Sequence, residues 1–389
     1  APGGRRFRTV VQVGIGGSDL GPRALYLALA ESGIDMPLRA EFISNVDPDD
    51  ASSVLSRIDP AESLFVVVSK SGTTQETLTN QAFVEQALRE RGLDPTAQML
   101  AVTSESSPMA EPGRYLDAFF IDDSIGGRYS ATSAVGLLVL ALTCGPEAAE
   151  QILAGAHAAD RAAMEPDLRK NAAALDALFG MWERSVRGHS STAILPYAQA
   201  LHRFPAHLQQ LDMESNGKRV NRDGRPLAYQ TGPIVFGEPG TNGQHSFYQL
   251  LHQGTTVVPL QFIGFLRSQR GHDISFAQSS SQEKLNANLA AQIQAFARGQ
   301  ENSNQNQHFP GGRPVSLIYG PVLDAGALGA LLAHFENKVM FQGFLWNINS
   351  FDQEGVQLGK VLTKQVLGAG EIDPALERLA RMLGARSHG

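Results

Sequence analysis

The sequence predicts an α/β fold: two nested doubly wound parallel sheets flanked by helices. Short apolar runs alternate with amphipathic helical patterns through the first 145 residues, and a second such alternation begins near Thr192. Between them, the Ala- and Leu-rich stretch from Thr132 to Arg187 reads as a helical bridge. With 389 residues, 42% of them apolar and 18% charged, the chain can build two or three domains around a large core.

Taken in order, Thr9–Val13, Ala40–Ser44, Leu64–Ser69 and Gln98–Thr103 read as buried strands, because each is an apolar run of strand length. Leu20–Glu31, Asp49–Ile58 and Gln75–Arg91 read as helices, with apolar residues at helical spacing such as Leu25 and Leu29, or Leu55 and Ile58. The bridge is expected to be helical throughout, broken at Gly145-Pro146. In the second alternation the strands are Thr192–Leu195, Val257–Phe265 and Val315–Tyr319, and the helices Gln199–Met213, Gln282–Ala297 and Gly326–Phe341. Gln300–Gln307 is a polar Asn/Gln run and reads as a solvated loop, and Pro374–Ala385 as a last helix.

Charge and cysteine usage exclude several classes. The balance of 32 Lys+Arg against 39 Asp+Glu gives a net charge of −7, which argues against a general nucleic-acid or anionic-membrane binder. An anionic ligand would need positive charge gathered locally. Cys144 is the only cysteine, so there is no internal disulfide and no multi-cysteine zinc or iron–sulfur site. A reducing compartment, the cytoplasm, is the expected location. The apolar stretch Ala134–Cys144 is about half the roughly 20 residues that span a bilayer. Arg5, Arg6 and Arg8 are followed only by Val10-Val11-Gln12-Val13, too short for a signal-peptide core. Because the chain starts at Ala1 and only 13 residues precede Gly14, a trimmed or naturally short front is expected.

Six segments carry candidate chemistry. The turn Gly14-Ile15-Gly16-Gly17-Ser18-Asp19-Leu20-Gly21-Pro22 joins a strand to a helix. Asp19 stands where a dinucleotide fingerprint needs glycine, and Pro22 where a P-loop needs lysine. What remains is a tight turn at the carboxyl end of a strand, either a plain connection or a place where backbone N–H groups approach a ligand. The segment Ser69-Lys70-Ser71-Gly72-Thr73-Thr74-Gln75-Glu76-Thr77 contains a capping box, Thr73 with Glu76. A cap needs one hydroxyl, whereas this loop supplies five and a lysine at a positive helix end, the makings of a phosphate cradle. In Gly126-Gly127-Arg128-Tyr129-Ser130 the paired glycines can present Arg128 to a cavity, or the arginine can lie on a surface loop.

The remaining segments are Met213-Glu214-Ser215-Asn216-Gly217-Lys218, Gly240–Gly254 and Phe351–Lys360. Asp212 and Glu214 point in different directions at helical spacing, and Asn216-Gly217 reads as a helix end. His245 is expected at a helix start, where the dipole disfavours its charged form and suits proton transfer near neutrality; the plain alternative is a structural histidine. His252, seven positions on, is too far to share a metal ion. Lys360 falls on a helix beginning near Glu354 and reads by itself as a solvated lysine.

Together, G-I-G-G-S-x-L-G-P, S-K-S-G-T-T-x-E-T, G-G-R-Y-S, M-E-S-N-G-K, G-T-N-G-Q-H-x-F-Y-Q-L-x-H-Q-G and F-D-Q-x-G-V-x-L-G-K, in this order from Gly14 to Lys360, make the chain resemble the phosphoglucose isomerase family. The resemblance implies interconversion of glucose 6-phosphate and fructose 6-phosphate through an enediolate, in glycolysis and gluconeogenesis, without metal or cofactor. It implies a first sugar-isomerase domain over 1–143 with the phosphate loop, a second over 144–350 with the base and ring-opening histidine, and a helical tail over 351–389 that closes on the site. By the same resemblance Ser69, Ser71 and Thr74 hold phosphate with Lys70 in the same loop, and Gly17 and Ser18 line the sugar site. Glu214 becomes the base, Arg128 the group facing the charged intermediate and His245 the ring-opening residue. Gln353 and Lys360 close over the substrate, and Lys360 can assist His245.

The implied partners are a hexose 6-phosphate and a second copy of the chain, a homodimer whose active sites borrow His245, with no nucleic acid and no membrane. Ser71-Gly72 replaces the Thr-Phe of many members, keeping a hydroxyl and losing packing; Glu354 stands for Trp and Gln357 for Glu, both in the lid. Three alternatives stay open at this point: a non-catalytic sugar-phosphate sensor, the isomerase part of a longer or fused enzyme, and a broader phosphohexose isomerase that also takes mannose 6-phosphate. The sensor reading needs the phosphate loop but not Glu214, Arg128 and His245 together.

Overall fold

The computed structural model describes residues 4–386; Ala1, on which the reading of a trimmed front rests, lies outside them. The chain forms two compact units, residues 1–350 and residues 351–389. In the first unit β1 (Thr9–Val13), α1 (Leu20–Ala30), β2 (Arg39–Ile43), α2 (Pro48–Arg57), β3 (Ser63–Val68), α3 (Gln75–Arg89), β4 (Met99–Thr103) and β5 (Asp117–Phe120) follow in order. The strands form a parallel sheet in the order β2-β1-β3-β4-β5. Every residue of β1 and β3 is buried, as expected for central strands covered on both faces. Alternate residues serve different cores. Val11, Val13, Phe65, Val67 and Ala101 pack on α2 and α3, while Val10, Val66, Val68 and Val102 face the middle of the unit.

That middle layer holds α4 (Ala134–Cys144), α5 (Pro146–Ala163) and α6 (Ala172–Met181). The bridge breaks at Gly145-Pro146 as its sequence predicts, and again at 164–171, which corrects the expectation of helix throughout. Pro166 cannot donate to a helix ladder, and the Asn171 side chain donates to Ala163 O and Glu165 O while accepting from Ala174 N. Extended back to Gly127, the α4 segment is apolar enough by length and composition to cross a membrane. Val135, Val139, Leu140 and Cys144 are buried in the core instead, the behaviour of a core helix.

The second half runs β6 (Ser191–Pro196), α7 (Phe204–Leu208), β7 (Ile234–Phe236), α8 (Tyr248–Gln253), β8 (Leu260–Phe265), β9 (Ser275–Phe276), β10 (Ser279–Ser280), α9 (Ser281–Arg298), β11 (Val315–Gly320) and α10 (Ala325–Leu345). Its parallel sheet has the order β11-β8-β6-β7, and β9 and β10 form a small antiparallel hairpin. Ala193, Leu195, Leu260 and Phe262 pack on α8 and α9, while Ile194 and Ile263 join Phe335 and Val339 of α10 in the middle layer. Strands β5, β7, β9 and β10 escape the sequence pattern because two to four residues give no usable periodicity.

The predicted helix Gln199–Met213 is three pieces. A 3-10 turn at Gln199–Leu201 precedes α7, and a π turn spans Gln209–Glu214. Pro205 starts α7 without a backbone donor, and the wider turn after it buries Leu211 and Asp212 while leaving Glu214 partly accessible. The second unit holds α11 (Gln357–Leu367), preceded by a 3-10 turn at Glu354–Val356, and α12 (Pro374–Met382), which Asp373 caps.

Candidate active site

The first sheet reverses its winding between β1 and β3, and in open α/β sheets ligands bind at the carboxyl ends of strands at such a point. The loops that leave those two ends are Gly14–Asp19 and Ser69–Thr74, two of the segments singled out in the sequence. Gly16 turns the first loop with φ of 63°, and Gln12, buried in β1, donates to Ser18 O at 2.6 Å. Gly17 is buried against the turn Gly127–Tyr129, and a Cβ on it would overlap the Gly127 carbonyl. Close backbone approach is what the glycine supplies.

In the second loop Ser69 Oγ donates to Thr74 Oγ1 at 3.0 Å, and Thr73 Oγ1 donates to Ser71 Oγ at 2.9 Å. The expected capping box is absent: the N-cap of α3 is Thr74, and no side chain caps it. The hydroxyls pair off ahead of the helix start, and Gly72 turns with φ of 63° where a Cβ would overlap the Ser107 hydroxyl. Lys70 Nζ donates to Asp123 O and Ile125 O, both at 2.9 Å. It thereby straps the hydroxyl loop to the segment that leads into Gly126-Gly127-Arg128.

Arg128 is 2% exposed, not on the surface. Its Nε donates to Ser215 Oγ and its Nη2 to Ser350 O, each at 2.6 Å, while Nη1 faces Glu214 Oε2 at 3.6 Å. Tyr129 OH shares a 2.8 Å hydrogen bond with Ser215 Oγ, and burial pushes its phenol above the ordinary value, so it stays a neutral hydroxyl. Gln210 Nε2 donates to Glu214 Oε2 at 2.9 Å. The π turn therefore aims one carboxylate at one buried guanidinium, an arrangement suited to moving a proton beside a developing oxyanion.

The structure thus brings Gly17, Arg128 and Glu214 together and joins the loop of Ser69, Lys70, Ser71 and Thr74 to them through Lys70. Ser18 is half-buried in the first turn. His245 is exposed at the end of a 3-10 turn, Asn242–His245, that precedes α8, which corrects the expected helix start. Gln353 and Lys360 belong to the second unit, the first ahead of its 3-10 turn and the second exposed on α11. Asp212 turns away from Glu214, as the sequence spacing predicts. It lines a cavity of about 300 Å³ at the amino ends of β6, β8 and β11 with Asp176, Gln261 and Lys338. Burial pushes its carboxyl up to about 6. Among the described residues no three His, Cys, Asp or Glu are grouped as a metal site.

Sequence reasoning missed Gln210, Tyr129, Ser215 and Ser350. Ser215 lay inside the M-E-S-N-G-K run and Gln210 one turn before Glu214, so proximity in sequence to Glu214 was the available signal.

Comparison with known proteins agrees with this geometry. The family model for phosphoglucose isomerase matches residues 2–376. The chain is 61% identical over 380 residues to the glucose-6-phosphate isomerase of Treponema denticola, covering 98% of this chain and 72% of that one. The crystal structure of a glucose-6-phosphate isomerase from Chlamydia trachomatis superposes with a TM-score of 0.94 at 48% identity, over 97% of this chain and 73% of that one. A tagatose-6-phosphate ketose/aldose isomerase from Escherichia coli, 14% identical with a TM-score of 0.51 over 89% of this chain and 85% of that one, shares the fold alone.

Proposed function

The chain belongs to the phosphoglucose isomerase family, and from that membership we propose how its own residues divide the work of the reaction. The activity is the reversible isomerisation of glucose 6-phosphate and fructose 6-phosphate, a step of glycolysis. The observation that carries the assignment of residues is Glu214 Oε2 at 3.6 Å from the buried Arg128 guanidinium. Glu214 takes the proton from one of carbons 1 and 2 of the open-chain sugar and returns it to the other. Arg128, always protonated, faces the oxygen on which charge develops in the enediolate. Such a positioned base contributes typically about 10²–10⁴ in rate.

Ser69, Ser71 and Thr74 hold the phosphate at the start of α3, with Gly17 and Ser18 lining the sugar. Lys70 contributes its charge from behind the loop, since its ammonium is bonded to two carbonyls there. Binding energy gathered at the phosphate orients the reacting carbons. His245 opens the ring, assisted by Lys360, and Gln353 closes over the substrate. The exposure of His245 supports its serving the active site of a second copy in a homodimer. The two sheets support a division into sugar-isomerase domains over 1–143 and 144–350, with 351–389 as the closing tail. The cytoplasm is the proposed location, supported by a lone cysteine buried in α4.

Fructose 6-phosphate incubated with the purified chain in heavy water tests the base. Glucose 6-phosphate carrying deuterium at carbon 2, and its loss by about 10³-fold or more in Glu214→Gln, is the expected result. Turnover that survives Glu214→Gln within tenfold would remove Glu214 from the role.

A further inference from the structure

The Arg128 guanidinium is held on two edges by groups that are not its charge partner. Nε donates to Ser215 Oγ and Nη2 to Ser350 O, both at 2.6 Å. Both anchors are themselves fixed. Ser215 is fully buried and shares a 2.8 Å hydrogen bond with Tyr129 OH, and the Arg128 guanidinium carbon lies 5.5 Å from the centre of the Tyr129 ring. Ser350, 2% exposed, donates its hydroxyl to Asn216 Oδ1 at 2.7 Å, and Asn216 Nδ2 donates to Val339 O at 3.2 Å. A Cβ on Gly343 would overlap the Ser350 hydroxyl, so the glycine of α10 makes room for that serine. Within these anchors Nη1 faces Glu214 Oε2 at 3.6 Å, inside ion-pair range but beyond a hydrogen bond.

That spacing has a chemical consequence. A guanidinium in bidentate contact with a carboxylate lowers its basicity by about 1–3 pH units, which weakens it as a proton acceptor. A guanidinium held slightly back still stabilises an anion formed between the two groups. Ser215 directly follows Glu214 on the same turn, so one residue fixes both the backbone that aims the base and the distance of the cation from it.

We propose that Ser215 is a positioning residue that holds the Arg128 guanidinium short of a tight ion pair with Glu214. This rests on Glu214 and Arg128 having the roles given above. Charged and titratable groups reach the surroundings of Glu214 from several elements. Arg128 and Tyr129 come from the turn before α4, and Lys218 donates through Nζ to Glu214 O at 3.0 Å. Asp212, with Lys338 of α10, faces the cavity at the amino end of the second sheet. Glu336 of α10 is a carboxyl near Tyr129, and His207 of α7 is buried and neutral, its imidazole pushed down to about 4. The serine hydroxyl holds the first of these, Arg128, by its Nε while Nη1 faces Glu214.

The test is the pH dependence of kcat and KM for the full chain and for Ser215→Ala, Ser215→Thr and Tyr129→Phe. Ser215→Ala is expected to lower kcat about 10–100-fold with KM moved less than about threefold, and to shift the acidic limb of the profile about one pH unit lower as Arg128 closes on Glu214. Ser215→Thr, which keeps the hydroxyl, should restore the limb, and Tyr129→Phe should shift it the same way by less. A loss of kcat with the acidic limb unmoved, or an unchanged kcat, overturns the proposal. If Ser215→Ala does not fold, Tyr129→Phe is judged on the same two criteria. Glu214→Gln measured beside them separates the cases: if it stays active the base assignment has failed, and if it is dead while the limb stays put only the positioning role has.

Discussion

Gly17 is where the two halves of the site's floor touch, because its α-carbon packs against the peptide of Gly127 and Arg128 with no room for a methyl group. Gly17→Ala must push the first loop and the arginine turn apart. Overpacking of this kind costs about 1–3 kcal/mol. Because the displaced peptide carries Arg128, activity should fall further than stability, by about tenfold or more in kcat. Denaturant unfolding and steady-state kinetics on the same preparation check this; a stable variant with full kcat would show that the contact is not needed to place Arg128. The tight turn around Gly17 was legible in the sequence motif. The reason for the glycine was not, because Gly127 lies more than 100 residues away and only folding puts the two together. Arg128 gives the same lesson with the sign reversed. Beside two glycines it reads equally as a surface residue, and only Ser215 and Ser350, from distant segments, reveal that it is buried.

The π turn Gln209–Glu214 is the element that carries Glu214 opposite the Arg128 guanidinium. Apolar spacing from Gln199 to Met213 reads as one continuous helix, and nothing in it signals the wider turn, since a π turn differs by a single residue and leaves the apolar pattern nearly intact. The two carboxylates of the segment diverge, as their spacing predicts. Glu214 faces Arg128, while Asp212 is buried at the edge of a cavity, with Asn216 Nδ2 at 3.5 Å from its Oδ1. Burial raises the Asp212 carboxyl from 3.8 to about 6, the Lys338 charge only partly opposing it. The sign follows from linkage. Below about pH 4 the group is protonated in both folded and unfolded states and costs nothing. As pH rises from about 4 to 6 the unfolded chain ionises first and stability is lost, and above about pH 6 the loss is constant. Asp212→Asn should therefore gain about 2–3 kcal/mol over the parent at pH 8 and about nothing at pH 4. Urea unfolding of both proteins at the two pH values decides it, and an equal gain at both would mean that packing, not ionisation, is responsible. The neighbouring Asp176 behaves oppositely: against the burial that would raise it, Lys338 at 3.1 Å and His334 hold its carboxyl well below the usual range. Its contribution is present above the unfolded value and is lost as pH falls.

For the whole molecule, two parallel sheets and their flanking helices were legible from alternation alone, because strands covered on both faces are apolar runs and the helices between them are amphipathic. Less legible was the sharing of one core by the two halves: Val10 and Val66 of the first sheet and Ile194 and Ile263 of the second belong to one cluster with α4, α5 and α10. Of the Ala- and Leu-rich bridge, α4 lies deepest in that cluster through Val135, Val139, Leu140 and Cys144, which is why Ala134–Cys144 carries no charged residue. Arg128 and Glu214 are brought face to face within one chain. His245 is not built that way. It is exposed on a 3-10 turn whose neighbouring helix, α8, packs on the far face of the second sheet with α9. A two-fold dimer would give such a residue to the partner's site, and the statistics of subunit exchange make this testable. Glu214→Gln and His245→Ala homodimers should each be nearly inactive. After exchange of an equal mixture, half the dimers are mixed. If the histidine is shared, both lesions fall in one site of each mixed dimer and the other is intact, so recovery should reach about one quarter of the parent activity. If His245 serves its own chain, each site of the mixed dimer carries one lesion and recovery is nil. Native mass spectrometry of the exchanged sample establishes that mixed dimers formed, so silence in the assay would then reject the shared site.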